Sequence, residues 1–132
     1  MTMRTLIVED ETFVQDLLRK VLTKRGYEVT TASDGREAME ILEETPHDLV
    51  LTDVVMPRME GFELLRWVKA QQPTTKVIVL TGFARRHSIS DFLLYGADDY
   101  LSKPFLVPEL LAAVERAIGP ASPATTAAPV GN

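Results

Sequence analysis

The 132-residue chain contains no cysteine, which excludes a disulfide framework, a thiolate metal site and a cysteine nucleophile. It also lacks any run approaching the roughly 20 apolar residues of a membrane-spanning helix. The opening Met1-Thr2-Met3-Arg4-Thr5-Leu6-Ile7-Val8-Glu9-Asp10 turns acidic before a signal-peptide core can build. Basic residues are outnumbered, 14 Lys and Arg against 19 Asp and Glu, and they are scattered, so no positive stripe is available to neutralise nucleic-acid phosphates. Neither direct nucleic-acid binding nor membrane attachment is expected, and a soluble, cytoplasmic protein is. Histidine is scarce as well: His47 precedes an apolar run and His87 opens a helical segment, and both are read as solvated loop residues.

What the chain has is enough apolar residues, 45%, to bury the core of one domain, and a regular alternation of two patterns. Short apolar runs predict strands at Leu6–Val8, Glu28–Ala32, Leu49–Leu51, Val77–Leu80 and Asp99–Leu101. Between them, apolar spacing near 3.6 predicts helices. Val14, Leu17, Leu18, Val21 and Leu22 mark the first, with Gly26 suited to its C-terminal end. Others follow over Gly35–Glu44, Phe62–Ala70, His87–Tyr95 and, with Pro108 well placed as first helical residue, Pro108–Ile118. Five βα units imply an α/β fold with a doubly wound parallel sheet, because right-handed crossovers place helices on both faces. The domain is expected to span residues 1–118. Residues 119–132, rich in Ala, Pro and Thr, read as a flexible tail or linker stub.

Every strand of a parallel sheet ends at the same edge, so residues just past the strands converge however distant they are in sequence. Here those residues are Glu9 and Asp10 after the first strand, Asp53 after the third, Thr81 after the fourth and Lys103-Pro104 beyond the fifth. Gathered carboxylates repel one another unless a cation offsets them, and an all-oxygen donor set without His or Cys favours Mg²⁺ (or Mn²⁺) over zinc. A carboxylate beside such a cation suits phosphoryl transfer as nucleophile. Asp53, alone at the tip of the central strand, is the candidate acceptor, with Lys103 to pair with it and Thr81 to donate its hydroxyl. Singly, each has a structural reading. Asp10 or Thr12 suits a helix cap, Asp53 with Pro57 and Gly61 a turn, Thr81 a loop start and Lys103 a solvated surface. Four strand ends bearing mutually useful groups favour the functional reading.

Val8-Glu9-Asp10-Glu11, the run Asp53-Val54-Val55-Met56-Pro57 through Gly61, Thr81-Gly82, and Gly96-Ala97-Asp98-Asp99-Tyr100 through Phe105 resemble the receiver (REC) domains of two-component response regulators, the chemotaxis-regulator type among them. The resemblance spans about Arg4 to Ile118. It implies a (βα)5 flavodoxin-like fold with strand order 2-1-3-4-5. It further implies phosphorylation of Asp53 by a sensor histidine kinase or histidine phosphotransfer protein, and Mg²⁺ held by Asp10, Asp53 and the Val55 backbone carbonyl, with Glu9 acting through a water. The Lys103-Pro104 bond would be cis, and Thr81 with Tyr100 would form the switch pair.

By the same resemblance the output is a changed protein surface around the His87–Tyr95 helix, the fifth strand and the last helix, read by a downstream protein or output domain, or by a second copy in a phosphorylation-dependent homodimer. Phe92, Leu94 and Tyr95 are bulkier than is usual in the family and, with Tyr100, are the candidate partner surface; Trp67 is read as packing. Such a domain is a phosphoacceptor that assists its own phosphorylation and dephosphorylation and is not otherwise an enzyme. The competing readings are a constitutive binding module or a phosphate sink without output. An aspartyl-nucleophile phosphatase ranks far lower, because Val55 stands where that chemistry needs a second aspartate.

Overall fold

In a computed structural model, described here for residues 2–53, 60–82 and 92–120, five parallel strands form one sheet in the order β2-β1-β3-β4-β5. The strands are β1 (Arg4–Val8), β2 (Glu28–Ala32), β3 (Leu49–Asp53), β4 (Lys76–Thr81) and β5 (Asp99–Ser102). The helices are α1 (Thr12–Lys24), α2 (Gly35–Glu44), α3 (Glu60–Gln71) and α4 (Val107–Ile118). Residues 92–94 are helical too, and Tyr95 already belongs to the turn that follows, one residue short of the expected helix end; positions 87–91 of the helix expected over His87–Tyr95, and the tail beyond residue 120, lie outside the described residues. β2 has its expected bounds and the other strands run one or two residues longer than expected, β3 and β4 because ladder pairing continues through Thr52, Asp53 and Thr81.

The period of two along each strand divides the core. Leu6, Val8, Val50, Val77 and Val79 join Ala38 and Leu42 of α2 and Leu64, Leu65 and Val68 of α3 in one buried cluster. Ile7, Leu49, Leu51, Ile78 and Leu80 join Leu18 and Leu22 of α1 and Leu110, Ala113 and Val114 of α4 in the other. Trp67 packs against the first cluster, as expected of it. The α1 spacing needs one adjustment: Leu17 is 43% exposed, leaving Leu18 and Leu22 as the buried anchors.

Local chemistry sets the helix ends. Asp34 accepts from the Glu37 N–H at 2.9 Å and caps α2, while the Glu37 carboxylate accepts from the N–H of Ser33, one residue before the cap, at 2.8 Å. Neither Asp10 nor Thr12 caps α1: its N-cap is Glu11, with no side-chain bond, which leaves Asp10 to the strand edge. Gly96 takes φ +108°, and a Cβ there would stand 2.9 Å from Lys69 Cγ, so both backbone angle and close approach call for glycine.

His47 corrects its sequence reading. It is buried, 6% exposed, with Nδ1 at 2.7 Å from the Thr45 carbonyl and Nε2 at 3.3 Å from Thr30 Oγ1. An imidazole whose two nitrogens both find partners can be buried without an unsatisfied group, and the residue's place just before a strand gave no sign that such partners would be near. His87 lies outside the described residues.

Candidate functional site

The register places the site. Val8 pairs with Thr52, Asp53 with Leu80 and Thr81 with Ser102, so the residues that follow β1, end β3 and β4 and follow β5 meet at one edge. The Lys103 N–H donates to the Thr81 carbonyl at 2.7 Å, carrying the β4–β5 pairing one step past the sheet. The Lys103–Pro104 peptide bond is cis.

Glu9, Asp10 and Asp53 present carboxylate oxygens that all lie within 4.8 Å of one another. Among the described residues this is the one group of acidic and histidine side chains gathered closely enough to hold a metal ion. Glu9 is fully buried and Asp53 is 4% exposed, while Asp10 is exposed. Lys103 Nζ sits between the two buried carboxylates, 2.8 Å from Glu9 Oε1 and 3.0 Å from Asp53 Oδ2. The second Glu9 oxygen accepts from the Glu11 N–H at 3.1 Å. Thr81 is buried at the end of β4, 5% exposed.

The electrostatics follow from that crowding. Burial pushes the Glu9 carboxyl above the ordinary carboxylate range and the neighbouring Asp53 charge adds to it, against the opposing hydrogen bonds from Lys103 and Glu11. Burial also works to lower the Lys103 ammonium, but its bonds to Glu9 and Asp53 outweigh that and hold it above its usual value, so the cation stays charged. Among the described residues one cation thus serves three clustered carboxylates, which outnumber it in charge. A donor set of oxygens alone, one of them solvent-facing, fits a hard divalent cation such as Mg²⁺ and offers no nitrogen or sulfur for zinc.

Val55, whose carbonyl the resemblance assigns to the metal, lies outside the described residues. Tyr100 is 39% exposed on β5. The candidate partner surface separates into two kinds of residue. Leu94 and Tyr95 are 82% and 50% exposed, the latter with the Arg66 guanidinium 5.9 Å from its ring centroid. Phe92 instead packs against the α2–α3 core cluster and presents no comparable face. Nothing in the sequence singles out Gln15, whose side-chain nitrogen bonds the carbonyls of Glu9 and Ala32; the signal exists only once α1 is docked on the strands.

Fold and site together define a receiver. The chain belongs to the response regulator receiver domain family, whose model matches residues 5–115. It is 41% identical over 115 residues to the response regulator MprA of Mycolicibacterium vanbaalenii, a match covering 85% of this chain and 48% of that protein. The chain spans about half the length of the curated relatives it matches, 48–58%. Among solved structures it is similar to the chemotaxis protein CheY4 of Vibrio cholerae (TM-score 0.83, 32% identity, 89% of this chain and 99% of that one). A CheY-like receiver domain protein from Methanospirillum hungatei gives TM-score 0.82 and 36% identity, with 88% and 93% covered. No helix among the described residues is long and apolar enough to cross a membrane.

Proposed function

We propose that this receiver accepts a phosphoryl group on Asp53 from a phosphohistidine of a sensor histidine kinase or phosphotransfer protein. The observation that carries the reading is the Glu9–Asp10–Asp53 cluster bridged by Lys103 at 2.8 and 3.0 Å. An Asp53 carboxylate oxygen attacks phosphorus, the O–P bond forms as the N–P bond breaks, and the histidine departs as neutral imidazole once protonated. Lys103, already charged beside Asp53, pairs with a phosphoryl oxygen as negative charge builds there. Thr81 donates its hydroxyl to another. Attack by water on phosphorus later releases inorganic phosphate and restores the carboxylate, so the domain takes part in both steps without being an enzyme on other substrates.

Glu9, Asp10 and Asp53, with the Val55 carbonyl, would hold Mg²⁺, which when bound supplies positive charge opposite the transferred group. The dianionic product then draws Thr81 inward and Tyr100 turns into the space left behind, altering a face that includes Leu94, Tyr95 and Tyr100 for an output domain, a separate protein or a second copy. The domain itself corresponds to residues 1–118.

The test is mass spectrometry after incubation with Mg²⁺ and phosphoramidate, paired with ¹⁵N amide spectra in Mg²⁺ and in Mg²⁺ plus beryllofluoride. One added phosphoryl group, absent from Asp53→Asn, together with linked shifts at Thr81, residues 92–95 and Tyr100, is the expected result. No phosphoryl gain in the native chain would make this a constitutive receiver-like module, and phosphorylation without shifts at that face would make it a phosphate sink.

A further inference from the structure

The two strand ends beside the acidic pocket are tied together by one side chain of α1. Gln15 Nε2 donates to the Glu9 carbonyl at 2.9 Å and to the Ala32 carbonyl at 3.2 Å, and the Glu9 N–H donates to that same Ala32 carbonyl at 3.0 Å. A carboxamide nitrogen carries two N–H donors, so a single residue serves both the carbonyl of Glu9, just past β1, and that of Ala32, the last residue of β2. The Gln15 backbone N–H also donates to the Glu11 carbonyl at 2.9 Å. That backbone bond belongs to the start of the α1 ladder and fixes Glu11, while the Gln15 side chain fixes Glu9, so the main chain is held on both sides of Asp10 and the side chain supplies the hold on the strand side.

Asp10 is where such a hold matters. The side chains of Glu9 and Asp53 are oriented by Lys103, whereas Asp10 is the exposed member of the group. With no lysine to orient it, its carboxylate points where the turn through residues 9–11 directs it. When that turn relaxes, so does the aim of the carboxylate.

We propose that Gln15 is a positioning residue: by pinning the turn around Asp10 it sets the affinity of the Glu9, Asp10 and Asp53 carboxylates for a divalent cation. The inference rests on the reading of this pocket as a Mg²⁺ site. It differs from a purely structural role, in which Gln15 closes the β1–β2 ladder and its loss lowers stability while leaving the pocket of the folded protein unaltered.

The test uses the full chain with two variants. Gln15→Met keeps the length of the side chain and removes its N–H donors. Gln15→Arg places Nε the same number of bonds from Cα as Nε2 of glutamine, and so keeps donors in reach. Dissociation constants are measured by titrating MgCl₂ alone while following the ¹⁵N amide resonances of residues 9–11, at about 0.15 M salt to screen the added arginine charge. Thermal midpoints are recorded in parallel. Gln15→Met is expected to bind Mg²⁺ about tenfold more weakly while folded, the scale on which outer partners of metal ligands act. Gln15→Arg is expected to stay near the native value. In the metal-free proteins the Asp10 and Glu11 amides should move in Gln15→Met and return toward native positions in Gln15→Arg. A folded Gln15→Met that binds with native affinity overturns the proposal and leaves Gln15 a structural residue. If that variant does not fold, Gln15→Leu replaces it under the same criteria. A native protein indifferent to Mg²⁺ would instead bring down the metal-site reading, and the role of Gln15 with it.

Discussion

The two edges of the sheet bury polar groups to similar degrees and handle them in opposite ways. At the amino edge His47 and Thr75 are buried, and the side chain of each is answered by a close neutral partner. His47 meets the Thr45 carbonyl and Thr30, Thr75 Oγ1 donates to the His47 carbonyl at 2.7 Å, and Lys69 Nζ donates to the Thr75 carbonyl at 2.9 Å. At the carboxyl edge Glu9 and Asp53 are buried beside a third carboxylate with one ammonium between them. The first arrangement is complete as it stands. The second holds like charges together at a cost to stability, and that retained negative charge is what a divalent cation would answer.

Four measurements would break or sharpen this contrast. The largest effect is expected from Lys103→Met, which strands a buried Glu9 and Asp53: unfolding by urea in the absence of metal should show a loss of about 3 kcal/mol. A much smaller loss would mean that the edge relaxes or takes up protons easily, and that its charge is less confined than its burial suggests. Next, Mg²⁺ at about a hundred times its dissociation constant should stabilise the native chain by about 2.7 kcal/mol by mass action. Asp53→Asn should show less of this gain, and His47→Leu all of it. His47→Leu in turn should cost about 1–2 kcal/mol through the Thr45 and Thr30 partners it abandons; a shift in Mg²⁺ affinity in that variant would show that the two edges are coupled.

The smallest effect concerns pH. Burial holds the Tyr27 hydroxyl above its ordinary value of 10.0, with Glu115 adding and Arg25 opposing, and the hydroxyl donates to the Gly119 carbonyl at 2.9 Å. The folded state keeps that proton to higher pH than the unfolded chain. Its contribution is therefore complete below pH 10.0, declines as pH rises toward the folded value and is level beyond it. Urea midpoints should fall less steeply above pH 10.0 in Tyr27→Phe than in the native chain. The Lys103 ion pairs, whose ammonium is also raised above its usual value, add a decline of the same sign above 10.5 in both proteins.

Much of this molecule is decided by its sequence alone, because the responsible signals are local. Short apolar runs mark the strands and period-3.6 spacing the helices, and a parallel sheet necessarily brings Glu9, Asp10, Asp53, Thr81 and Lys103 to one edge, so the members of the site are legible in the order of the residues. Element ends are less so: β3 and β4 run on into Thr52, Asp53 and Thr81 because pairing, not hydrophobicity, ends a strand. What only the tertiary structure decides is how side chains from different elements meet. His47 is buried because Thr30 and Thr45 happen to stand at its two nitrogens. Phe92 turns to the core while its neighbour but one, Leu94, stays in water. Lys103 shares itself between Glu9 and Asp53, and Gln15 reaches back from α1 to two carbonyls. Apart from His47 with Thr45, two positions away, such contacts join residues 6 to 94 positions apart; no local pattern encodes them, because they exist only when packing has fixed the distance and direction between one element and the next.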